Sequence, residues 1–171
     1  MHCSPSLRRL RLSHAPRRRL VLLTELLTPD RLVVPLTARD KRGVISELAR
    51  RLVARAGGEL EQVLAAIEER ESVLTTGIGF GVAIPHARSA AVKELTIVAG
   101  VSEVAIPFDS IDGEPVRLFF LIVGPDASAG RHVKLLSQIA RLVRRENVRQ
   151  RLVDARTPDE FHRILVDAEA R

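Results

Sequence analysis

The chain has 171 residues, 46% of them apolar, which is enough for one domain with a single packed core. Its formal net charge of +6 resembles that of a nucleic-acid-binding protein, but residues 1–20 contain six of the 27 basic residues and no acidic one. Residues 21–171 therefore hold 21 basic and 21 acidic residues, and such a neutral body is not steered toward nucleic-acid phosphates. The single cysteine, Cys3, excludes an internal disulfide and a cysteine-based zinc site and fits a cytoplasmic location.

Residues 1–20 and the longest apolar run decide whether the chain carries a secretory signal or a membrane span. Residues 1–20 are rich in arginine but lack the apolar segment of a secretory signal. We expect them to be a disordered basic tail or the product of a start codon assigned too early, with a targeting or binding arm as the alternative. The longest apolar run, Leu118–Val123, is about a third of the ~20 residues that span a bilayer, so we expect no membrane insertion. The folded domain is predicted over residues 21–171.

The first half of that domain predicts one strand followed by two helices. Arg31–Val34 is a short β-branched run that ends at Pro35, which is typical of an edge strand. Thr37 is the expected N-cap of a helix whose apolar residues recur at helical spacing until Gly57 ends it. A second helix is predicted over residues 60–70.

The second half predicts strands followed by helices. A glycine-rich loop feeds a strand that ends at Pro85, and the runs Leu95–Val101 and Val116–Val123 have the length and apolar character of strands buried on both faces. Helices are predicted over residues 129–145 and 148–155, and a last one begins at the N-cap Thr157. This order predicts an α/β fold: a single domain with a mixed central β-sheet covered by helices on both faces.

One histidine, His86, stands where the sequence pattern changes. Three alternating glycines, an apolar run and Pro85 precede it. The glycines match neither a P-loop, because no Lys-Ser or Lys-Thr follows, nor a dinucleotide fingerprint, because they precede the strand. From spacing alone, a surface histidine and a functional one both remain open.

Three segments of the sequence, taken in order, favour a functional role for His86 over a surface one. The segments Thr75–Ala87, Phe108–Val116 and Arg131–Leu136 resemble the signature regions of bacterial phosphotransferase-system enzyme IIA components of the fructose, mannitol and nitrogen-regulatory type. The resemblance covers roughly residues 22–166. It implies a phosphotransferase that accepts a phosphoryl group on His86 from an HPr-type phosphocarrier and passes it to a IIB component or uses it as a regulatory signal. In many relatives a glycine and a lysine follow the histidine, whereas this chain has Ala87-Arg88.

The same resemblance suggests supporting residues. His132 matches the second histidine of the family and Arg70 an arginine near the active one, against the alternatives of a helix-surface histidine and a solvated helix-end cation. Thr76 is expected either to bond phosphate or to shape the turn, and Gly77, Gly79 and Gly81 to allow close approach of the phosphoryl group. Asp109 and Asp112 are interpreted as turn residues, and His162 as a surface residue of the last helix.

Two further functions stay open at this point. A nucleic-acid-binding regulator would act through the arginine-rich residues 1–20, and a metal site would use His86 and His132, which lack a clear third ligand. For the phosphocarrier we expect no cofactor, no metal and no nucleic-acid partner, while association with a membrane transporter is compatible with it. We also expect that a docking donor finds at least one of Ile78, Phe80 and Phe108 exposed beside His86.

Overall fold

The computed structural model describes residues 21–170, in which six helices and six strands form one domain. The expected tail over residues 1–20 lies outside the described residues. The helices are α1 Leu23–Leu26, α2 Lys41–Ala56, α3 Leu60–Val73, α4 Ala129–Arg144, α5 Glu146–Asp154 and α6 Pro158–Glu169. The strands are β1 Leu32–Leu36, β2 Gly77–Gly79, β3 Val82–Ala83, β4 His86–Arg88, β5 Thr96–Ile106 and β6 Val116–Gly124.

The sheet is mixed, as predicted. Its order is β1-β5-β6-β3-β2, and β4 pairs with β6 beyond β3, so that β6 has three partners, β5, β3 and β4. The β1–β5, β3–β6 and β4–β6 pairs are parallel, whereas β5–β6 and β2–β3 are antiparallel. Strand β1 is an edge strand, which explains why it tolerates the exposed Pro35, a residue without an N–H to donate to a neighbouring strand.

Side chains of β6 alternate between two cores. Leu118, Phe120 and Ile122 pack with α1, α4, α5 and α6 on one face of the sheet. Their neighbours Phe119, Leu121 and Val123 pack with α2 and α3 on the other face. The prediction of a buried central strand with helices on both faces is therefore confirmed, and the continuous apolar sequence of β6 is the direct consequence.

Two local predictions were wrong. The N-cap of α2 is Asp40, whose side chain accepts from Gly43 N–H at 2.7 Å, whereas the Thr37 amide donates to the carboxylate of Glu47. The glycine-rich segment is not a loop feeding one strand, because it folds back as the β2–β3 hairpin before β4 begins at His86. The prediction of Thr157 as the N-cap of the last helix is confirmed by the hydrogen bond from Glu160 N–H to its hydroxyl.

Candidate functional site

An open groove of about 520 Å³ lies between α3, β4 and the start of α4. It brings together the three residues expected from sequence at the centre of the site: His86, His132 and Arg70. The remaining lining residues are Ala66, Glu69, Val73, Ala87, Arg88, Ala129, Val133 and Leu136.

His86 is the first residue of β4, and it is half-buried. Its Nδ1 lies 2.8 Å from the carbonyl oxygen of Ile84, two residues back along the backbone. Because a carbonyl oxygen only accepts, Nδ1–H is the donor, and in the neutral ring the lone pair is then on Nε2. Burial lowers the pKa of His86 and the charge of Arg70 lowers it further, whereas the hydrogen bond to the Ile84 carbonyl and the charge of Glu71 oppose this. The net lowering of the pKa favours the neutral ring at neutral pH.

His132 faces His86 from the first turn of α4. The two ring centroids are 5.6 Å apart, with the ring planes at 69°. The side chain is buried, at 4% exposure, and neither ring nitrogen has a hydrogen-bond partner among the described residues. Burial, with smaller contributions from His86 and Arg88, lowers the pKa of His132 to about 4. His132 is thus a neutral ring at neutral pH whose two nitrogens are buried and have no hydrogen-bond partner in the described structure.

Arg70 borders the groove from the last turn of α3. Its Nη1 donates to the Leu74 carbonyl at 2.9 Å, just beyond the end of the helix, which fixes one side of the guanidinium. The group is permanently charged and keeps further N–H donors for an anion. Its charge reaches His86, since it is one cause of the lowered pKa of that ring.

Thr76 and the three glycines are not among the groove-lining residues of the described structure. The buried Thr76 donates its hydroxyl to Glu71 at 2.5 Å. Gly77 packs so closely on the 108–113 turn that an added Cβ would lie 2.5 Å from Ser110 Oγ, and Gly79 turns the hairpin with φ of 93°. In the described structure these residues shape the hairpin that precedes His86.

Arg88 is a groove residue that the sequence interpretation noted only as a departure from relatives. It lies two residues after His86 on β4, and side chains at i and i+2 of a strand share a face. Its guanidinium lies 3.9 Å from Asp126, at the margin of an ion pair, and its charge contributes to the lowered pKa of His132. The alternation of side chains along β4, which places His86 and Arg88 on the same face, is the sequence signal that could have identified Arg88.

Of the two aspartates expected to form turns, Asp112 lies in one and Asp109 lies just before it. Asp112 accepts from the Phe80 and Glu114 backbone N–H groups, and both bonds lower the pKa of its carboxyl. Asp109 has φ of 53° and lies 3.2 Å from Lys41 Nζ. His162 is half-buried on α6 and donates from Nε2 to the Thr24 carbonyl at 3.2 Å, and it is not among the residues that line the groove.

The prediction that at least one of Ile78, Phe80 and Phe108 is exposed beside His86 was wrong. Phe108 is buried at 1% exposure and contacts Phe119, and Ile78 packs against the core. Phe80 is 66% exposed, but it stacks on Arg149 and does not line the groove. The exposed apolar residues that do line the groove are Val73 and Val133, at 79% and 59% exposure.

Metal binding and membrane insertion each require a recognisable feature of the fold. Among residues 21–170, no three or more His, Cys, Asp or Glu side chains come together in a group that could hold a metal ion. In the same range no helix combines the length and apolarity needed to cross a membrane.

Comparison with known proteins assigns the chain to the IIA domains of the phosphotransferase system. The family model "Phosphoenolpyruvate-dependent sugar phosphotransferase system, EIIA 2" matches residues 25–168, and the chain belongs to this family. A nitrogen regulatory protein of Pseudomonas aeruginosa is 34% identical over 152 residues, covering 88% of this chain and 98% of that protein. The fructose-specific EIIABC component of Bacillus subtilis is 35% identical over 84% of this chain, which spans only 23% of that longer protein.

Solved structures agree with this assignment. The nitrogen regulatory protein IIA-Ntr of Neisseria meningitidis has a TM-score of 0.78 and 29% identity, covering 84% of this chain and 98% of that one. The fold also matches IIA in a complex of enzyme IIAMtl with phosphorylated IIBMtl of Escherichia coli, at a TM-score of 0.68, 20% identity and coverage of 81% and 95%. Nothing in these comparisons supports a nucleic-acid-binding regulator acting through residues 1–20. The segment that the family model matches, residues 25–168, does not include those residues.

Proposed function

We propose that this protein is a phosphoryl carrier that accepts the phosphoryl group on Nε2 of His86. The observation that carries the proposal is the hydrogen bond from Nδ1–H to the Ile84 carbonyl, which leaves the lone pair on Nε2 of a ring that lines an open groove. Membership of the phosphotransferase-system IIA family supports the same chemistry. A cytoplasmic location is part of this proposal.

The transfer needs no oxidant and no cofactor. The donor is an HPr-type phosphocarrier with its phosphoryl group already bound to a histidine nitrogen. The lone pair of His86 Nε2 forms the new N–P bond, the donor N–P bond breaks, and its electron pair returns to the donor ring. The Ile84 carbonyl stabilises Nδ1–H as positive charge develops on the His86 ring. The reverse step hands the group to an acceptor.

His132 and Arg70 complete the proposed site. Charge spreads over the outer phosphoryl oxygens during transfer, and both histidine rings begin neutral. Arg70 supplies a permanent positive charge, and the unpartnered N–H of His132 supplies a hydrogen bond. We assign Thr76, Gly77, Gly79 and Gly81 the indirect support of the phosphoryl group through the hairpin that holds His86.

The acceptor is proposed from the relatives. A phosphorylated IIB component accompanies IIA in one structural neighbour, and nitrogen regulatory proteins are among the relatives. We therefore propose a IIB component or a regulatory target protein as the acceptor, which leaves association with a membrane transporter compatible.

Phosphorylation with purified enzyme I, an HPr-type phosphocarrier and labelled phosphoenolpyruvate tests the proposal. We expect acid-labile, base-stable label on the wild-type protein and on His162→Ala, and none on His86→Ala. His162 is the matched control because its ring also donates one nitrogen to a backbone carbonyl, but outside the groove. Label that persists on His86→Ala at wild-type stoichiometry contradicts the assignment. Addition of purified IIB to the labelled protein then tests the acceptor.

A further inference from the structure

A carboxylate lies behind His86 that neither the groove nor the proposed transfer step uses. Glu71 follows Arg70 on α3, and its side chain is only 8% exposed. Its oxygens accept from the Thr76 hydroxyl at 2.5 Å and the Thr76 N–H at 3.0 Å, and Lys41 Nζ lies 3.0 Å away. A buried carboxylate is unfavourable unless such donors compensate it.

These bonds continue to the acceptor ring. The Thr76 carbonyl accepts from Ile84 N–H at 2.9 Å, and the Ile84 carbonyl accepts from His86 Nδ1–H at 2.8 Å. We call Lys41, Glu71, Thr76, Ile84 and His86 the Glu71 network. It runs from a helix end, across the base of the hairpin, to the ring nitrogen that does not react. Thr76 is therefore bonded to the N–H of the same residue whose carbonyl contacts His86.

We propose that Glu71 is a positioning residue for His86: by holding Thr76, it fixes the Ile84 carbonyl and keeps His86 in the Nδ1–H tautomer. The inference rests on the proposed function, because only a reacting Nε2 gives the tautomer a consequence. In the opposite tautomer the proton occupies Nε2 and the attacking lone pair is lost. Outer hydrogen-bond partners set the tautomer of metal-binding histidines in the same way.

A second carboxylate, that of Glu169, provides a control for the purely structural effect of removing a carboxylate. Glu169 on α6 accepts from the Thr24 hydroxyl at 2.7 Å, the Thr24 N–H at 3.0 Å and the Leu23 N–H at 2.6 Å. This carboxylate joins α6 to α1 and shares with Glu71 a threonine hydroxyl and that threonine's backbone N–H as donors, with the Leu23 N–H in place of a lysine, but it leads to His162 rather than to His86. Loss of Glu169 reports what a carboxylate–threonine contact contributes to stability alone.

The experiment compares Glu71→Ala, Glu71→Gln, Thr76→Val and Glu169→Ala with the wild type. Two readouts are taken: the tautomer of His86 from ¹⁵N chemical shifts of the ring, and the single-turnover rate from phosphorylated HPr-type donor. We expect Glu71→Ala to lose the uniform Nδ1–H form and to accept phosphate about ten-fold or more slowly, the scale of a misplaced reacting group. Glu71→Gln keeps an oxygen acceptor for Thr76, so its rate should lie between wild type and Glu71→Ala.

The outcomes separate this inference from the proposed function. Wild-type protein that takes no phosphate on His86 overturns the proposed function, whereas the tautomer readout still tests the positioning. If Glu71→Ala keeps the wild-type His86 tautomer and transfer rate, the positioning role of Glu71 is overturned. It is also overturned if Glu169→Ala loses the Nδ1–H tautomer and the transfer rate to the same extent as Glu71→Ala. If Glu71→Ala does not fold, Thr76→Val and Glu71→Gln decide, and an unchanged His86 tautomer in both overturns the inference.

Discussion

The protein contains two networks built from the same parts, a carboxylate, a threonine and a histidine. In the Glu71 network the carboxylate holds Thr76, and the bonds end at Nδ1 of His86. In the other, which we call the Glu169 network, the carboxylate holds Thr24, whose carbonyl accepts from Nε2 of His162. Both carboxylates lie near the C-terminal end of a helix and both accept backbone N–H groups as well. The hydrogen bonds alone therefore do not distinguish a phosphoryl acceptor from a structural histidine.

The surroundings of the two rings do distinguish them. His86 lines an open groove together with Arg70 and faces the buried, unpartnered ring of His132. His162 lies on α6 and is not part of that groove. A ring nitrogen with a free lone pair is suited to phosphoryl transfer where a positive charge and an unpaired hydrogen-bond donor lie beside it.

The largest effect expected from this comparison is on acid stability. His132 has a pKa of about 4 in the fold, against 6.5 ordinarily, so between these values the unfolded chain binds a proton that the folded one does not. The free energy of unfolding should therefore fall as the pH falls from about 6.5 to about 4, by roughly 3 kcal/mol at most from this group. His86, whose pKa is also lowered, acts in the same direction. Urea unfolding at a series of pH values measures it.

The variant for this measurement is His132→Gln. It should unfold with a smaller dependence on pH across that window, because the buried titrating group is gone. An unchanged slope in His132→Gln would show that the acid sensitivity arises elsewhere, for example from Glu71, whose lowered pKa acts below about 4.5.

The next effect is on the rate of transfer. We expect Arg70→Ala and His132→Ala to fold, to accept phosphate on His86 and to transfer it at least about ten-fold more slowly, since each removes a donor to the developing charge. The effect should be near the low end of such losses because the groove is open to water. His132→Gln should be milder, since its amide still donates.

Arg149→Ala is the matched control for Arg70. Arg149 also donates Nη1 to a backbone carbonyl, that of Val143, but it stacks on Phe80 outside the groove. Single-turnover transfer is measured in both directions, from the phosphorylated donor and to an acceptor. Wild-type rates in both directions for Arg70→Ala or His132→Ala would make that residue part of the scaffold only.

The sequence predicted the elements that depend on a local pattern. The apolar run of β6 and the helical spacing of α2 and α4 predicted the α/β class, the ordered motif segments led to His86 and His132, and the family resemblance led to Arg70. It did not predict how tertiary packing would cover the side chains close to the motif. Phe108 is covered by Phe119 and Lys41, and the hydroxyl of Thr76 is bonded to a carboxylate five residues back. Proximity to the motif in sequence was therefore a poor guide to the rim of the groove.

The smallest effect expected concerns that rim. Val133 is 59% exposed beside His132, so a docking donor should cover it, whereas Phe80 lies outside the groove. Val133→Glu places a negative charge where the phosphoryl group arrives, and we expect transfer to slow about five-fold, the scale of an exposed charge interaction. Val133→Gln should stay near the wild-type rate, as should Phe80→Glu, and salt should reduce the effect of Val133→Glu by screening. A rate for Phe80→Glu lower than that for Val133→Glu would instead place the docking surface at the β2–β3 hairpin, on the side of Arg149.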